Sequence, residues 1–599
     1  MDTGHEESAS SEARHWVLTP PEGEPSALEA VIELSPDGCP TLAVRRGPTT
    51  VLDPSPLGIR ATHEDFTAGL EFSGMTQETL RDSYATVIGK RRAHAYSARH
   101  TTLRFRKGDH GMDLQVRVSA DGVAFRYALR WAAAVTVCGE ATRYRPPLDA
   151  RAILLPYDNG RHDYESVHVH TSVAGAPPDI YGYPSLFQVG DTWMLITESD
   201  IDGSYAGSQL VLDGESRALQ LVLPDPYVTG PSPLTTPWRT MIVGDEAAII
   251  ESDLVTSLAR PSLLEDTSWV KPGVAAWSWW SDGASPRDPA AQRAFVDYAG
   301  KQGWEYVLVD AGWSGSWVPE LVEYAAARDV GIWLWDRWQN LDTEREFKER
   351  LGTWSAWGVR GVKIDFSESD GQDRMRWFDA ILAATARHRL MVNLHGGTIP
   401  RGTERTWPHF MTAEAVRGAE NIKPNRGKEP FPAGHYVTLV FTRNVQGPMD
   451  FTPVTFSAER VITAGHELAL AVLFESGVQH FADSIESYRA RPAAERFLAR
   501  VPAAWDETRF ISGDPADHVA LARRDGRHWF IGAGVAGAAR TVQVALDFLG
   551  QGDWTADIYR DDPKDPHDGI VVESSPVTAQ DSLEVPVGEH GGFAVHVHP

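Results

Sequence analysis

The sequence contains few of the residues that build covalently or metal-stabilised scaffolds. Among its 599 residues there are only two cysteines, Cys39 and Cys138, and they belong to no CxxC or Cys/His grouping. A disulfide framework, an iron–sulfur cluster and a zinc ribbon are therefore excluded. A single disulfide between the two cysteines remains open.

Positive charge is also scarce. The 56 Lys and Arg residues stand against 82 Asp and Glu residues, which gives a net charge of −26. A field of this sign repels phosphate backbones and anionic bilayers. We therefore expect neither nucleic acid nor a membrane as a partner.

Long apolar runs and a secretory signal are absent. The most apolar stretch, residues 468–474, is far shorter than the roughly 20 residues that cross a bilayer. The N-terminal residues MDTGHEESASSEARHW are acidic and polar, without the basic and apolar regions of a signal peptide. This pattern predicts a cytoplasmic protein, or a secreted or periplasmic one if a signal was removed.

What is present is the composition of an ordinary globular chain, with 42% hydrophobic and 23% charged residues. Its length exceeds what one hydrophobic core organises, which predicts two to four domains. Residues 16–264 contain short segments that alternate apolar and polar side chains, typical of a large antiparallel β-sandwich. Residues 505–599 repeat this pattern and predict a smaller β-sandwich, while residues 1–15 are expected to be disordered.

Between these regions, residues 265–504 alternate apolar runs with amphipathic helical stretches. We count eight strand candidates, which predict a (β/α)8 barrel whose active site lies at the carboxyl ends of the strands. The eight runs are residues 273–280, 306–313, 331–338, 361–366, 390–396, 410–416, 436–445 and 478–483.

Polar and aromatic side chains collect near the ends of these runs. Fourteen of the 21 tryptophans lie between Trp269 and Trp407, and flat apolar rings with polar edges are surfaces on which sugars stack. Each such residue taken alone could equally fill the core. As a group, the candidates for contact with a sugar are Trp279, Asp310, Trp313, Trp335, Lys363, His395 and Arg443.

The fourth run ends in Lys363-Ile364-Asp365-Phe366. A period of two places Lys363 and Asp365 on the same face, so both should point into the barrel. A neighbouring cation lowers the pKa of a carboxyl group and keeps it ionised, as a nucleophile requires. A buried structural ion pair or a helix N-cap would produce the same pattern.

Two further acids, Glu414 and Glu420, lie at and just beyond the end of the sixth run. Two neighbouring carboxylates cannot both ionise cheaply, so either one is protonated, as a general acid must be, or a cation such as Ca²⁺ bridges them. Glutamates on loops are more often solvated surface charges. Together with Asp365, Asp310 and the aromatic residues, they describe a site for glycosidic bond cleavage.

The linked motifs resemble those of glycoside hydrolase family 97. They are KIDF, MVNLHGG followed by PRGTERTWP, TAEAVRGAE and HYVTLVFTRNVQGPMDFTP in the barrel, with HEDFTAGLEF and YATVIGK in the N-terminal region. The resemblance implies a β-super-sandwich, a catalytic (β/α)8 barrel, a C-terminal β-sandwich and an active-site calcium ion.

The resemblance also implies a branch of the family. Inverting members carry a glutamate base directly after the histidine of the fifth strand, where this chain has Gly396 after His395. Retaining members carry an aspartate nucleophile at the end of strand four, the place of Asp365, and Glu420 matches the general acid/base. The implied metal ligands are Glu198, Glu414, Glu420 and Asn393.

The expected activity is therefore calcium-dependent, exo-acting and retaining, with α-galactosides as substrates. Retention predicts that the carboxyl groups of Asp365 and Glu420 lie about 5–5.5 Å apart. A retaining α-glucosidase, a β-L-arabinopyranosidase, a transglycosidase and a non-catalytic carbohydrate-binding protein remain alternatives. The oligomeric state is left open.

Overall fold

The computed structural model describes residues 13–158, 160–423 and 429–599. Of the segment 1–15 predicted to be disordered, residues 1–12 lie outside the described residues. The prediction is wrong for Arg14 and His15, because Arg14–Leu18 forms the first strand and pairs with Leu28–Leu34. Trp16 holds this strand in place by packing against Phe72, with 5.0 Å between the ring centroids.

The N-terminal region is a set of antiparallel sheets, as the alternating segments predict. A four-stranded sheet has the order β1-β2-β3-β4, a second has the order β19-β11-β5-β6, and a large sheet runs through β12-β18-β17-β15-β16-β21-β10-β9-β8-β7. The strands are β1 Arg14–Leu18, β2 Leu28–Leu34, β3 Pro40–Arg46, β4 Thr49–Pro56, β5 Ile59–Ala61, β6 Glu64–Asp65, β7 Glu71–Ala85, β8 Ala93–Lys107, β9 His110–Ser119, β10 Gly122–Arg130, β11 Val135–Glu140, β12 Arg143–Tyr144, β13 Arg151–Pro156, β14 Val169–Ser172, β15 Ile180–Val189, β16 Thr192–Ser199, β17 Gln209–Leu212, β18 Leu219–Val222, β19 Val228–Gly230, β20 Leu234–Thr235 and β21 Trp238–Gly244.

Two short helices, α1 Glu246–Glu251 and α2 Leu254–Leu258, lead into a barrel whose described residues form seven parallel strands. The strands are β22 Gly273–Trp277, β23 Tyr306–Val309, β24 Gly331–Arg337, β25 Gly361–Asp365, β26 Met391–Leu394, β27 Phe410–Ala413 and β28 Val478–Phe481. The helices are α3 Pro289–Gln302, α4 Val318–Ala326, α5 Glu344–Glu346, α6 Gly352–Trp357, α7 Gln372–Arg387, α8 Thr403–Thr406, α9 Ala433–Phe441, α10 Ala464–Leu473, α11 Ile485–Arg489 and α12 Pro492–Leu498.

The barrel confirms the predicted architecture, but one of the eight predicted strands is wrong. Residues 436–445, predicted as strand seven, are mostly the buried helix α9. A short run that is apolar on every side reads alike as a buried strand or a buried helix, because periodicity cannot separate the two. The seventh strand is reduced to one parallel bridge between Ala413 and Met449, and β28 extends the sheet by pairing with β22, which leaves the barrel nearly closed.

Local signals explain the helices that were predicted. The N-cap Asp288 accepts a hydrogen bond from the backbone N–H of Ala290, and Pro289 occupies the first position of α3. The helix ends at Gly303, whose φ of 76° is accessible to glycine at little cost. These signals determine where α3 begins and ends, and the chain then continues into β23.

The C-terminal region is a second antiparallel unit. A six-stranded sheet has the order β29-β30-β31-β36-β33-β34, and the pair β32-β35 is separate from it. A core that includes Ile531, Val544 and Val595 joins the two. The strands are β29 Glu507–Asp514, β30 His518–Asp525, β31 His528–Val535, β32 Arg540–Ala545, β33 Trp554–Asp562, β34 Asp565–Val577, β35 Ser582–Val587 and β36 Gly592–His598.

Two further sequence predictions concern cross-links and membranes. Both Cys39 and Cys138 are free thiols, so the open question of a disulfide is answered in the negative. Among the described residues, no helix combines the length and the apolarity that crossing a bilayer requires.

Candidate active site

The carboxyl ends of the barrel strands bring most of the predicted residues together. Asp365 is the last residue of β25, and Asn393 lies within β26. His395 comes directly after β26, and Glu414 comes directly after β27. Because the strands are parallel and adjacent, their ends meet at one mouth of the barrel. Glu420 reaches this mouth from the single helical turn Ala419–Ile422.

Asp365 is held at the mouth by two hydrogen bonds. Nε1 of Trp335 donates to its Oδ2 at 2.9 Å, and the backbone N–H of Phe366 donates to its Oδ1 at 2.7 Å. Phe366 has a φ of 64°, a left-handed conformation that costs free energy in a bulky residue and therefore marks a constrained turn. The two donors fix the orientation of the carboxylate.

Lys363 is buried and contacts other carboxylates than the sequence suggested. Its Nζ lies 2.9 Å from Oε1 of Glu420 and 3.4 Å from Oδ2 of Asp310. Burial opposes the charge on Lys363, but the carboxylates of Glu420 and Asp310 outweigh it and raise the pKa of the ammonium group. The expected direct pairing of Lys363 with Asp365 is therefore corrected: the lysine is a partner of Glu420.

His395 lies at the centre of a second group of charges. Its Nδ1 is 2.9 Å from Oε2 of Glu414, and its Nε2 is 3.2 Å from Oδ2 of Asp450 and 3.7 Å from Oε1 of Glu420. Burial opposes a charge on the ring, but Glu414, and to a smaller extent Glu420, raise the pKa of His395 well above its ordinary value. Three carboxylates therefore surround the ring of His395.

Gly396, next in the chain, lies between the two groups of acids. Its backbone N–H donates to Oε2 of Glu414 at 2.8 Å, and its φ is 48°. A Cβ atom at this position would lie 3.1 Å from Oδ1 of Asp365 and 3.2 Å from Oε1 of Glu368. A side chain here would therefore press on the carboxylate at the end of β25, which would have to shift by a few tenths of an ångström.

Glu165 of the N-terminal region, which sequence reasoning missed, belongs to this mouth. Its Oε2 accepts a hydrogen bond from Nδ2 of Asn421 at 3.2 Å. Burial, followed by the charge of Glu414, raises the pKa of Glu165 to about 8. No periodic signal could have identified Glu165, because it lies in the loop between β13 and β14 and meets the barrel only through tertiary packing.

Two carboxylates and one imidazole at the mouth form a group that could hold a cation. Ligand atoms of His395, Glu414 and Glu420 lie within 4.8 Å of one another, and burial raises the pKa of Glu414 as well. Oδ1 of buried Asn393 accepts no hydrogen bond from the described residues. Carboxylate and amide oxygens are what calcium prefers, so the donor set of Glu165, Glu414, Glu420 and Asn393 fits that ion.

Glu198, predicted as a metal ligand, is instead bound by arginines. Its Oε2 lies 2.9 Å from Nε of Arg401, and its Oε1 pairs with Arg239 and accepts from Ser208. The side chain is fully buried and lies outside the group of ligand atoms at the mouth. Because both oxygens already face cations, the prediction for Glu198 is corrected to an ion pair that joins β16 to the barrel.

Arg443, predicted to contact a sugar, is also corrected. Within the described part of the chain, its guanidinium donates to main-chain carbonyl oxygens, among them those of Ala413 at 2.9 Å, Glu414 at 3.0 Å and Ala415 at 3.1 Å. The side chain is 1% exposed. Arg443 therefore fixes the segment that carries Glu414 and is withdrawn from the solvent-accessible surface.

The tryptophans support the carboxylates from behind. Trp277 donates from Nε1 to Oδ2 of Asp310 at 2.9 Å and stacks on Trp279, with 5.6 Å between the ring centroids. Trp313 donates to the carbonyl oxygen of Trp335 at 2.8 Å. Trp335 contacts the candidate catalytic residue Asp365 directly.

Asp450 and His480 were also missed. Asp450 accepts from Nδ2 of Asn393 at 2.6 Å and lies 2.9 Å from Nδ1 of His480. Burial opposes its charge, but His480 and His395 lower the pKa of Asp450 well below its usual range. Asp450 directly follows Met449, whose bridge to Ala413 marks the true position of the seventh strand. Because the sequence pattern predicts that strand at residues 436–445, it does not identify Asp450 as a strand-end residue.

Three family models match consecutive parts of the chain. The model "Glycosyl-hydrolase 97 N-terminal" matches residues 25–261, "Glycoside hydrolase 97" matches residues 269–416, and "Glycosyl-hydrolase 97 C-terminal, oligomerisation" matches residues 504–598. Their order is that of the two antiparallel regions and the barrel between them.

Named relatives match over most of their length. A protein of Streptomyces bingchenggensis described as a "probable retaining alpha-galactosidase" is 44% identical over 601 residues, covering 97% of this chain and 92% of the relative. A "retaining alpha-galactosidase" of Bacteroides thetaiotaomicron is 28% identical over 567 residues, which cover 83% of this chain and 84% of the relative. The crystal structure of a beta-arabinopyranosidase is 28% identical and superposes with a TM-score of 0.89, covering 97% of this chain and all of its own.

Proposed function

Because this chain belongs to glycoside hydrolase family 97, and is a glycoside hydrolase, we propose that it removes terminal α-linked galactose with retention of anomeric configuration. The observation that carries this proposal is the crowding at Gly396. A glutamate base at this position would place its Cβ 3.1 Å from Oδ1 of Asp365. A side chain at this position would crowd the carboxylate of Asp365, and Gly396 itself supplies no water-activating base.

In the first step, Oδ1 or Oδ2 of Asp365 attacks the anomeric carbon as the glycosidic C–O bond breaks. Glu420, in its protonated form, donates its proton to the leaving oxygen. The hydrogen bonds from Trp335 and Phe366 hold the Asp365 carboxylate in its attacking orientation. The product of this step is a galactosyl ester on Asp365 and a free aglycone alcohol.

In the second step, the Glu420 carboxylate removes a proton from water, whose oxygen attacks the anomeric carbon and releases Asp365. Lys363 stabilises the ionised form of Glu420 that this step needs, through the contact of 2.9 Å. Two inversions at the same carbon give overall retention. A sugar hydroxyl in place of water would give transglycosylation by the same route.

A calcium ion is part of the proposal, and Glu165, Glu414, Glu420 and Asn393 are the residues that would hold it. When bound, calcium supplies positive charge that offsets the buried carboxylates and attracts sugar or leaving-group oxygens. The raised pKa values of Glu165 and Glu414 support this set, because buried like charges favour the uptake of either protons or a cation. Glu165 replaces Glu198 in the set that the sequence suggested.

The sugar is inferred from the relatives. The 44% identical relative is described as an alpha-galactosidase, whereas the structural neighbour at 28% identity is a beta-arabinopyranosidase. The second substrate class is therefore the main competitor, because the ring of β-L-arabinopyranose carries the same hydroxyl arrangement as galactose. An α-glucoside is the third possible substrate, to be compared with the α-galactoside and the β-L-arabinopyranoside.

Proton NMR during hydrolysis tests sugar and stereochemistry together. The p-nitrophenyl glycosides of α-galactose, β-L-arabinopyranose and α-glucose are compared at equal concentration, and the first-formed anomer is recorded before mutarotation. We expect the α-galactoside to react fastest and to release α-galactose. Initial release of β-galactose would overturn the retaining mechanism, and faster arabinoside hydrolysis would overturn the choice of sugar.

A further inference from the structure

A second group of metal-ligating side chains lies far from the barrel mouth, in the C-terminal region. It consists of Asp557 on β33 and of His596 and His598 on β36. Their ligand atoms lie within 4.8 Å of one another. In the antiparallel pairing of these strands, Asp557 is directly opposite His596.

The strand period explains why the three side chains share a face. His596 and His598 are two residues apart, so both point away from the core that contains Val595 and Val597. On that face, His596 stacks on Phe530, with 4.8 Å between the ring centroids, and Phe530 packs against the barrel. The group therefore lies where the C-terminal sheet meets the barrel.

Each of the three side chains has its second polar atom held by a neighbour. Oγ of Ser574 donates to Oδ1 of Asp557 at 2.6 Å, and Nδ1 of His598 lies 3.3 Å from the carbonyl oxygen of Pro599. Nε2 of His596 lies 2.9 Å from Nδ1 of His528. Such outer contacts fix the tautomer and orientation of metal ligands in proteins.

The polar atoms that these neighbours leave are Oδ2 of Asp557, Nε2 of His598 and Nδ1 of His596. Oδ2 of Asp557 and Nε2 of His598 lie 3.3 Å apart, close to the roughly 3.3 Å between two ligand atoms bound to one tetrahedral zinc at about 2.0–2.1 Å. Nδ1 of His596 has no hydrogen-bond partner among the described residues, although this histidine is only 4% exposed. A buried imidazole nitrogen without a partner is costly unless a ligand satisfies it.

We propose that Asp557, His596 and His598 form a binding site for a divalent transition-metal ion, with Zn²⁺ as the fitting representative. Two imidazoles and one carboxylate suit zinc, and they do not suit calcium, which takes oxygen ligands. The bound ion would tie β36 to β33 beside the barrel and stabilise the folded chain by mass action. One opposing charge is present, because Nη1 of Arg500 lies 3.6 Å from Oδ2 of Asp557, on a side chain that is 49% exposed and can turn outward.

The test is calorimetric titration of the metal-free full chain with Zn²⁺, together with the visible absorption of bound Co²⁺, which reports the coordination geometry. The variants His598→Ala and Asp557→Asn remove one ligand each. The matched control is His567→Ala, because His567 pairs with Asp568 in the same region, 3.2 Å away, without completing a triad. Circular dichroism at 25 °C confirms that each variant is folded.

We expect the wild-type chain and His567→Ala to bind one more zinc ion per chain than the two ligand variants, or to bind it at least tenfold more tightly. The Co²⁺ absorption of this site should disappear in the ligand variants alone. Zinc that binds at the barrel mouth remains in all four proteins and cancels in the comparison. Equal isotherms for the wild-type chain, His598→Ala and Asp557→Asn would overturn the proposal.

Discussion

The Nζ atom of Lys363 lies 2.9 Å from Oε1 of Glu420. This contact favours the ionised form of Glu420, which is the form that removes a proton from water in the second step of a retaining mechanism. We therefore expect Lys363→Met to slow deglycosylation more than the formation of the ester on Asp365. With a 2,4-dinitrophenyl glycoside, steady-state turnover should fall about 100-fold, the usual size of a general-base contribution, and a pre-steady-state burst of dinitrophenol should appear. A variant that is slow without a burst would place Lys363 in the first step instead.

Azide rescue separates the roles of Asp365 and Glu420. Without the nucleophile, Asp365→Ala should lose nearly all activity, and azide should restore it by attacking the anomeric carbon directly, giving the β-galactosyl azide from an α-galactoside. Glu420→Ala still forms the ester with an activated leaving group, so azide should give the α-galactosyl azide. NMR of the two azides assigns both residues. The same configuration from both variants would contradict the assignment.

Gly396 should tolerate no side chain, because of its contact with Asp365. In Gly396→Ala, the new Cβ would lie 3.1 Å from Oδ1 of Asp365 at a φ of 48°, so we expect kcat to fall at least tenfold as the carboxylate is displaced. The matched control is Gly303→Ala, which has a φ of 76° and open space around its Cβ. Both variants should lose about 1 kcal/mol of stability from backbone strain, and only the first should lose activity. Equal kcat values would show that the contact is harmless.

The binding of calcium should depend on the side chain of Glu165 and not directly on that of Glu198. We expect EDTA to reduce activity and added Ca²⁺ to restore it, with Glu165→Gln weakening Ca²⁺ binding at least tenfold in a calorimetric titration. Glu198→Gln should retain Ca²⁺ affinity but unfold at a lower temperature, because it leaves Arg239 and Arg401 buried with less compensating charge. If chelation leaves the rate unchanged, the calcium assignment is wrong.

Glu404 should make stability depend on pH. Burial raises the pKa of this carboxyl group to about 8, above its value of about 4.3 in an unfolded chain. The folded state therefore binds an extra proton between these values, and stability falls as pH rises from about 4.3 to about 8. Glu404→Gln removes this titration, so its Tm relative to the wild-type chain should rise by several degrees between pH 5 and pH 8.5. The exposed variant Glu589→Gln should show no such rise, and a constant Tm difference for Glu404→Gln would refute the linkage.

The sequence by itself determined the order of the three regions and the strand-end positions of Asp365, His395 and Glu414. These features are local: a period of two identifies which residues share a face of a strand, and parallel strands must end at the same mouth. The same reasoning predicted helix α3 from its cap and its terminal glycine. It failed at α9, where a segment buried on every side carries no periodic signal.

Only the tertiary structure decided which charges meet. Lys363 contacts Glu420 and Asp310. Glu165 reaches the mouth of the barrel from the N-terminal region. Glu198 forms ion pairs with two arginines. The ion pairs among these contacts join residues from 41 to 203 positions apart, and the packing of loops and domains determines which residues meet. A buried carboxylate needs some cation or proton to offset its charge, but nothing in its local sequence specifies which one lies beside it.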